Sequence, residues 1–143
     1  MGKPRTTSIH TSPQDAALAF YQAFEARDID AMMSTWAEDE EIVCVHPGGP
    51  RVVGFDAVRA SWEHLFAREA KLTFRLAEVV LIETVGLAMQ SAMEEIHSGE
   101  GAVQASAIAT NVLMRTPSGW RFVCHHASAA PPITLVEPKG PLH

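Results

Sequence analysis

The change of hydrophobic period along the chain restricts its fold more than any other feature. Up to about residue 66, apolar side chains recur three and four residues apart, as in amphipathic helices. From Lys71 onward they alternate every second residue, as in half-buried strands. Turn residues separate the strand-like segments, which are 71–83, 86–97, 103–115 and 120–128. Helices followed by strands that pair as antiparallel hairpins predict an α+β domain, not a doubly wound α/β fold.

Three helices are predicted before the long strands. The first begins after Ser12, a typical N-cap residue, with Pro13 at the first helical position. Its apolar stripe consists of Ala17, Phe20, Tyr21 and Phe24. The second helix is read from Ile29, Met32, Met33 and Trp36. The third follows Gly54 and places Val58, Trp62, Leu65 and Phe66 on one face, so each helix has an apolar face to bury.

Length, composition and charge define the class of protein. A chain of 143 residues, of which 47% are hydrophobic, can bury a core without disulfides or a structural metal. We expect one domain at 12–130, between a disordered leader at 1–11 and a Pro-rich tail at 131–143. A net charge of −6 without a basic cluster argues against nucleic-acid binding. No apolar run approaches the roughly 18 residues of a membrane helix, and no signal peptide is recognisable, so we expect a cytoplasmic protein without membrane contact.

Neither a metal nor a cofactor is expected from the motifs. Cys44 and Cys124 are far apart and form no redox or zinc motif. His125 and His126 are adjacent on a strand, so they point to opposite faces and cannot hold one ion together. Phosphate-binding, dinucleotide-binding, nucleophile-elbow and zinc-protease motifs are missing from the sequence.

A series of short motifs occurs in a characteristic order, namely Trp36-Ala37-Glu38-Asp39, His46-Pro47-Gly48-Gly49, Ala109-Thr110-Asn111, Gly119-Trp120-Arg121-Phe122 and His125-His126-Ala127-Ser128. Over roughly 15–130 the chain resembles the SnoaL-like branch of the NTF2/ketosteroid-isomerase superfamily. The resemblance implies a cone-shaped, cystatin-like fold with three helices on a curved, mostly antiparallel sheet. It also implies an apolar cavity and a homodimer formed through the outer face of the sheet. This fold hosts isomerases, cyclases, dehydratases and association modules, so it does not fix the chemistry.

The resemblance to the ketosteroid isomerases places their functional positions on other residue types here. The general base falls on His46, the tyrosine on Phe20 with Tyr21 beside it, and the carboxylic acid on Asn111. An imidazole can exchange a proton near neutral pH, and an amide N–H can stabilise an oxyanion. The alternative interpretation is a strand-end His46 bonded to the following loop and a buried Asn111 that satisfies neighbouring backbone groups.

Strand alternation supplies further candidates. It places Phe122, Cys124, His126 and Ser128 on one face of the last strand, and the resemblance turns this face towards the cavity and His125 towards the dimer partner. Alternation also sends one of Glu94 and Glu95 towards the cavity, where burial would raise the pKa of the carboxyl. A solvated charge near the strand end is the alternative for this pair.

Two hypotheses for function follow. The first is a pocket protein that binds a small apolar or aromatic molecule, with cofactor-free acid–base chemistry of the isomerase, cyclase or dehydratase type. Its catalytic candidates are His46, Asn111 and His126, and its ligand-binding candidates are Phe20, Tyr21, Trp36, Trp62, Glu94, Cys124 and Ser128. The second is a non-catalytic dimeric binding or association module whose cavity is filled. An enclosed cavity lined by both His46 and Asn111 would favour the first.

Overall fold

The computed structural model describes residues 9–68, 71–98 and 103–131, and these form one α+β unit. The helices are α1 (Pro13–Ala26), α2 (Ile29–Met33) and α3 (Phe55–Phe66). The strands are β1 (Val43–Val45), β2 (Arg51–Val53), β3 (Leu72–Glu83), β4 (Leu87–Ser98), β5 (Val103–Thr116) and β6 (Gly119–Ala129). The predicted α+β class and order of elements are confirmed. Most of the predicted leader and nearly all of the predicted tail lie outside the described residues.

The first helix has the ends that its sequence indicates. The Ser12 side chain accepts a hydrogen bond from the backbone N–H of Asp15, which satisfies one of the free amides of the first turn. The helix ends at Ala26, and the following Arg27 adopts the left-handed conformation and returns its N–H to the carbonyls of Ala23 and Phe24. These caps set where α1 begins and ends.

The second helix is shorter than predicted. It ends at Met33, and Trp36 instead forms a bridge to β6. The Phe122 N–H donates to the Thr35 carbonyl at 2.7 Å, and the Ala37 N–H donates to the Phe122 carbonyl at 2.9 Å. The backbone N–H and C=O groups that a longer helix would use are therefore hydrogen-bonded to the sheet instead.

One six-stranded sheet runs in the order β2-β1-β6-β5-β4-β3. The four long strands pair antiparallel with their neighbours in sequence, as predicted. The short β1 pairs with β6 in parallel and with β2 antiparallel. In this register Cys44 lies opposite His125, so the loop after β1 starts beside the middle of β6.

A β-bulge interrupts the alternation of β6. Val112 pairs with Cys124, but the next residue of β5, Leu113, pairs with Phe122, so Val123 is an extra residue on β6. Because a bulge shifts every later side chain to the other face, Phe122 and His125 both face the helices. This is the reason why the sequence-based assignment of the faces of β6 is wrong after residue 122.

The core lies between the helices and the inner face of the sheet. Its centre is Phe20 of α1, which stacks on Phe122 at a centroid distance of 4.4 Å and an interplanar angle of 11°. Phe20 also meets Trp62 edge to face at 5.4 Å. The side chains of Phe20, Trp62 and Trp36 are fully buried. One aromatic cluster therefore holds α1, α3 and β6 together.

Candidate functional site

A cavity of about 330 Å³ lies between the end of α1, the end of α3 and the inner face of the sheet. This volume is at the small end of the range for ligand pockets, roughly 300–1,000 Å³. Its walls are mainly apolar, and the polar lining residues are His46, Glu94 and His125 together with Glu25, Arg27 and Arg68. The remaining lining residues are Phe24, Pro47, Leu65, Phe66, Leu72, Phe74, Ile96 and Ala127.

A buried chain of hydrogen bonds lies directly behind the cavity. The Tyr21 hydroxyl donates to Glu94 Oε2 at 2.6 Å. Asn111 Nδ2 donates to the Tyr21 oxygen at 3.1 Å and to Gln90 Oε1 at 3.0 Å. On its other side, Asn111 Oδ1 lies 2.6 Å from Nδ1 of His125. All five side chains are buried, so the chain links α1 with three neighbouring strands through groups that are shielded from bulk solvent.

His125 connects this chain to the cavity. The imidazole is fully buried, and burial, with smaller contributions from His46 and His126, lowers its pKa to about 3. It is therefore neutral at neutral pH. Since Asn111 Oδ1 is an acceptor, the ring hydrogen is on Nδ1 of His125, and Nε2 carries the lone pair.

His46 lies where the sequence places it, directly after β1 and at the cavity wall. Its Nε2 is 3.1 Å from the Ser61 hydroxyl oxygen, and its ring meets the Trp62 ring edge to face at 4.6 Å. The Ser61 hydroxyl donates its own hydrogen to the Val58 carbonyl at 2.7 Å. Nε2 of His46 must therefore donate to Ser61, and burial lowers the pKa of this imidazole to about 4.

Glu94 is the carboxyl that faces the cavity. It is 2% exposed, and burial raises its pKa, an effect that the hydrogen bond from Tyr21 only partly opposes. The pKa of Tyr21 is also raised, first by burial and then by the nearby Glu94, so its phenol stays protonated. Glu95 lies on the other face, 3.7 Å from His97. The prediction that alternation turns one glutamate inward is confirmed, and the solvated interpretation is wrong for Glu94.

Asn111 is buried as predicted but does not line the cavity. Both of its amide hydrogens are donated, to Tyr21 and to Gln90. The expectation that it offers an N–H to an oxyanion is therefore wrong. Asn111 lies behind His125 and is hydrogen-bonded to Nδ1 of that imidazole, so it supports the site without facing the cavity.

The structure also corrects other predicted ligand-binding positions. Phe20, Trp36 and Trp62 belong to the core cluster and are not among the lining residues of the cavity. Tyr21 is not among the lining residues either, and its hydroxyl is bonded to Glu94 behind the cavity wall.

The three candidates on β6 lie on the wrong face. Cys124 and Ser128 are on the outer side of the sheet, and so is His126, which is exposed. The expectation that they face the cavity is wrong because the bulge at Val123 reverses the alternation.

Several site residues were not found from the sequence. His125 was assigned to the dimer side, although its position opposite Cys44 across β1 and β6 puts it inside. Gln90 could have been found from its shared parity with Glu94 on β4. Ser61 lies one helical turn beyond Val58, and this spacing does not predict its contact with His46, the residue after β1.

Nucleophilic catalysis is not favoured by the groups around His46. Cys44 Sγ lies 3.7 Å from Nε2 of His46, but burial raises the pKa of the thiol to about 12, so it stays neutral. The Ser61 hydrogen points to Val58 and not to the imidazole.

Among the described residues no cluster of three potential metal ligands occurs. Within the same ranges no helix has the length and apolarity needed to cross a membrane.

Comparison with known proteins agrees with this fold. Residues 14–133 match the SnoaL-like domain family, and the chain therefore belongs to it. A crystal structure from Thiobacillus denitrificans, of a proposed association domain of calcium/calmodulin-dependent protein kinase type II, is 35% identical. It has a TM-score of 0.78 and covers 87% of this chain and 99% of its own.

Two further structures show the range of the fold. A proposed dehydratase of the NTF2-like family from Streptomyces avermitilis is 34% identical, with a TM-score of 0.73 over 81% of this chain and 91% of its own. A ketosteroid isomerase-like protein from Erwinia carotovora atroseptica is 24% identical, with a TM-score of 0.65 over 83% and 94%. No curated protein is significantly similar in sequence. The predicted SnoaL-like, NTF2-like relationship is confirmed.

Proposed function

We propose that this chain binds a small apolar or aromatic molecule and transfers a proton on it without a cofactor. The observation that carries the proposal is the convergence of His46, Glu94 and His125 on one apolar cavity. Polar groups that are few, buried and perturbed in pKa are typical of catalytic pockets. The dehydratase named among the relatives, which is 34% identical, supports chemistry of this kind.

Glu94 is better matched than His46 to move the proton. Burial lowers the pKa of His46 to about 4, which makes it a weak base at neutral pH. Burial raises the pKa of Glu94, so this carboxyl binds a proton more readily than an ordinary glutamate. We therefore assign the proton transfer to Glu94, and His46 and His125 hold the substrate. A group in this role contributes about 10²- to 10⁴-fold in rate.

Deuterium exchange into a bound ketone would test this assignment. We expect the protein to accelerate exchange of the acidic C–H hydrogens of 6-hydroxy-2-tetralone, a two-ring ketone of suitable size that also carries a phenol hydroxyl, in deuterated buffer. Glu94→Gln keeps the size of the side chain but removes its acid–base function, so exchange should fall by about 10²-fold or more. The exposed substitution His64→Ala serves as the control. Exchange that is absent in the wild type, or equal in Glu94→Gln, would refute the catalytic role.

The second candidate function is a dimeric association module, and the outer face of the sheet favours it. Met89 pairs with Val112, and Met93 with Ile108, across β4 and β5. Val80, Ile82, Leu87 and Met114 extend this apolar face and are all more than 40% exposed. A contiguous apolar surface of this kind is typical of a protein interface. The relative that is 35% identical is named as an association domain, and we propose that two copies of this chain pair through this face.

A charge placed on that face should separate the copies. We expect the wild type to elute as a dimer in size-exclusion chromatography with light scattering, and Ile108→Asp to elute as a monomer, because an unpaired carboxylate would be buried at the interface. Leu18→Asp makes the same change at an exposed position of α1 and should remain dimeric. A monomeric wild type, or equal dissociation of both variants, would contradict the proposed interface.

A further inference from the structure

The inner wall of the cavity has an unusual hydrogen-bonding character. We propose that its two imidazoles, those of His46 and His125, only accept hydrogen bonds from a ligand, so that the ligand is a ring compound with a hydroxyl group of the phenol or enol type. We further propose that Asn111 sets this selectivity as the positioning residue of His125. The inference rests on the proposed small-molecule function and names its ligand class.

The orientation of Asn111 is determined by its neighbours. The hydrogen of Tyr21 is committed to Glu94 Oε2, so the phenol oxygen can only accept from Asn111. Gln90 presents Oε1, which accepts the second amide hydrogen. Asn111 must therefore turn its oxygen to His125, and that oxygen requires the hydrogen on Nδ1.

The opposite nitrogen of His125 is the one that meets the cavity. Nε2 forms no hydrogen bond within the described residues and is not among the fully enclosed polar atoms. The residue lines the cavity, although it is only 1% exposed to bulk solvent. Nε2 thus offers its lone pair to a molecule inside the pocket. The hydrogen-bond network behind His125 prevents a change of tautomer.

His46 also has one unprotonated ring nitrogen, but it is the opposite tautomer. Its Nε2 hydrogen goes to the Ser61 oxygen, whose own hydrogen is used by Val58. Nδ1 of His46 is then the unprotonated nitrogen. Both imidazoles pack against Trp62, at centroid distances of 4.6 and 5.9 Å, and both line the same cavity.

The two lone pairs discriminate between oxygen types. A hydroxyl can donate to either imidazole, whereas an ether oxygen in the same place would face a lone pair and lose its bond to water. Sites built around a hydrogen bond reject analogues that lack the partner group. The volume of about 330 Å³ suits one or two rings. The ligand class is therefore a small aromatic or unsaturated alcohol.

Matched ligands would test the selectivity. We expect 2-naphthol to bind the full-length protein at least about tenfold more tightly than 2-methoxynaphthalene in calorimetric titration. Equal affinity, or tighter binding of the ether, would overturn this inference and leave the pocket function standing. Failure of both compounds and of a wider aromatic panel would remove the proposed function and this inference with it.

The role of Asn111 has its own spectroscopic test. Long-range ¹H–¹⁵N correlation spectra should show the His125 hydrogen on Nδ1 in the wild type, and on Nε2 in Asn111→Leu, where the naphthol preference should also fall to below about threefold. Thr110→Val, on the same strand but the opposite face, should change neither result. The wild-type spectrum decides the question even where Asn111→Leu fails to fold, because an Nε2 hydrogen on His125 there would refute the proposal.

Discussion

Replacing Asn111 by leucine is expected to lower the free energy of unfolding by about 3–5 kcal/mol. The substitution keeps the branched shape of the side chain but removes three buried hydrogen bonds. It leaves Nδ1 of His125 and Oε1 of Gln90 without partners, and each stranded buried group costs about 1–3 kcal/mol. Urea unfolding followed by circular dichroism would measure the loss.

Two comparisons make this prediction specific. Thr110→Val changes an exposed polar neighbour on the same strand and should alter stability by less than about 0.5 kcal/mol. Tyr21→Phe combined with Asn111→Leu should cost less than the sum of the single changes, because both remove the bond between these residues. Strict additivity would show that the buried chain does not act as one unit.

Acid is expected to destabilise the protein steeply between pH 6.5 and about 4. In the unfolded chain His46 and His125 take up protons near their ordinary pKa of 6.5, whereas burial lowers the pKa to about 4 and about 3 in the folded chain. The unfolded state therefore binds more protons in this range, and stability falls as the pH falls. The two imidazoles together account for a loss on the order of 5 kcal/mol across this range.

Glu94 has the opposite effect on the free energy of unfolding and limits the loss of stability in acid. Its pKa is raised in the folded chain, so it contributes stability as the pH falls towards its ordinary value. His46→Asn should remove about half of the histidine-dependent slope, and the exposed His64→Asn should leave it unchanged. Thermal unfolding measured at half-unit steps of pH would provide the profile. A flat profile in the wild type would mean that the two rings are not buried in the neutral form.

The sequence is sufficient to predict the elements of this fold because local signals and tertiary packing agree. Ser12, Pro13 and the apolar stripe define α1, and turn residues separate the four long strands close to their observed ends. The second helix is the exception. Its apolar spacing continues to Trp36, but the backbone there pairs with β6, a long-range competition that local periodicity does not reveal.

The residues that face the cavity are only partly predictable. His46 and Glu94 were found because a strand end and a regular alternation locate them. His125 was missed because parity was counted through Val123, and a bulge is decided by the register between two strands and not by the sequence of one. The direction of the Asn111 amide likewise depends on Tyr21 and Gln90, which are distant in sequence.

The extra residue at Val123 also has a meaning for how such pockets diversify. Because Val123 is accommodated as an extra residue, Cys124 and His125 keep the partners on β5 that a regular ladder without it would give them. Loss of this single codon would therefore restore regular alternation and leave His125 facing the interior, whereas a bulge at another position of β6 would exchange the inward and outward residues between the two positions. A lineage with this architecture can thus change its pocket chemistry by moving a bulge, a route that comparison of aligned substitutions alone would overlook.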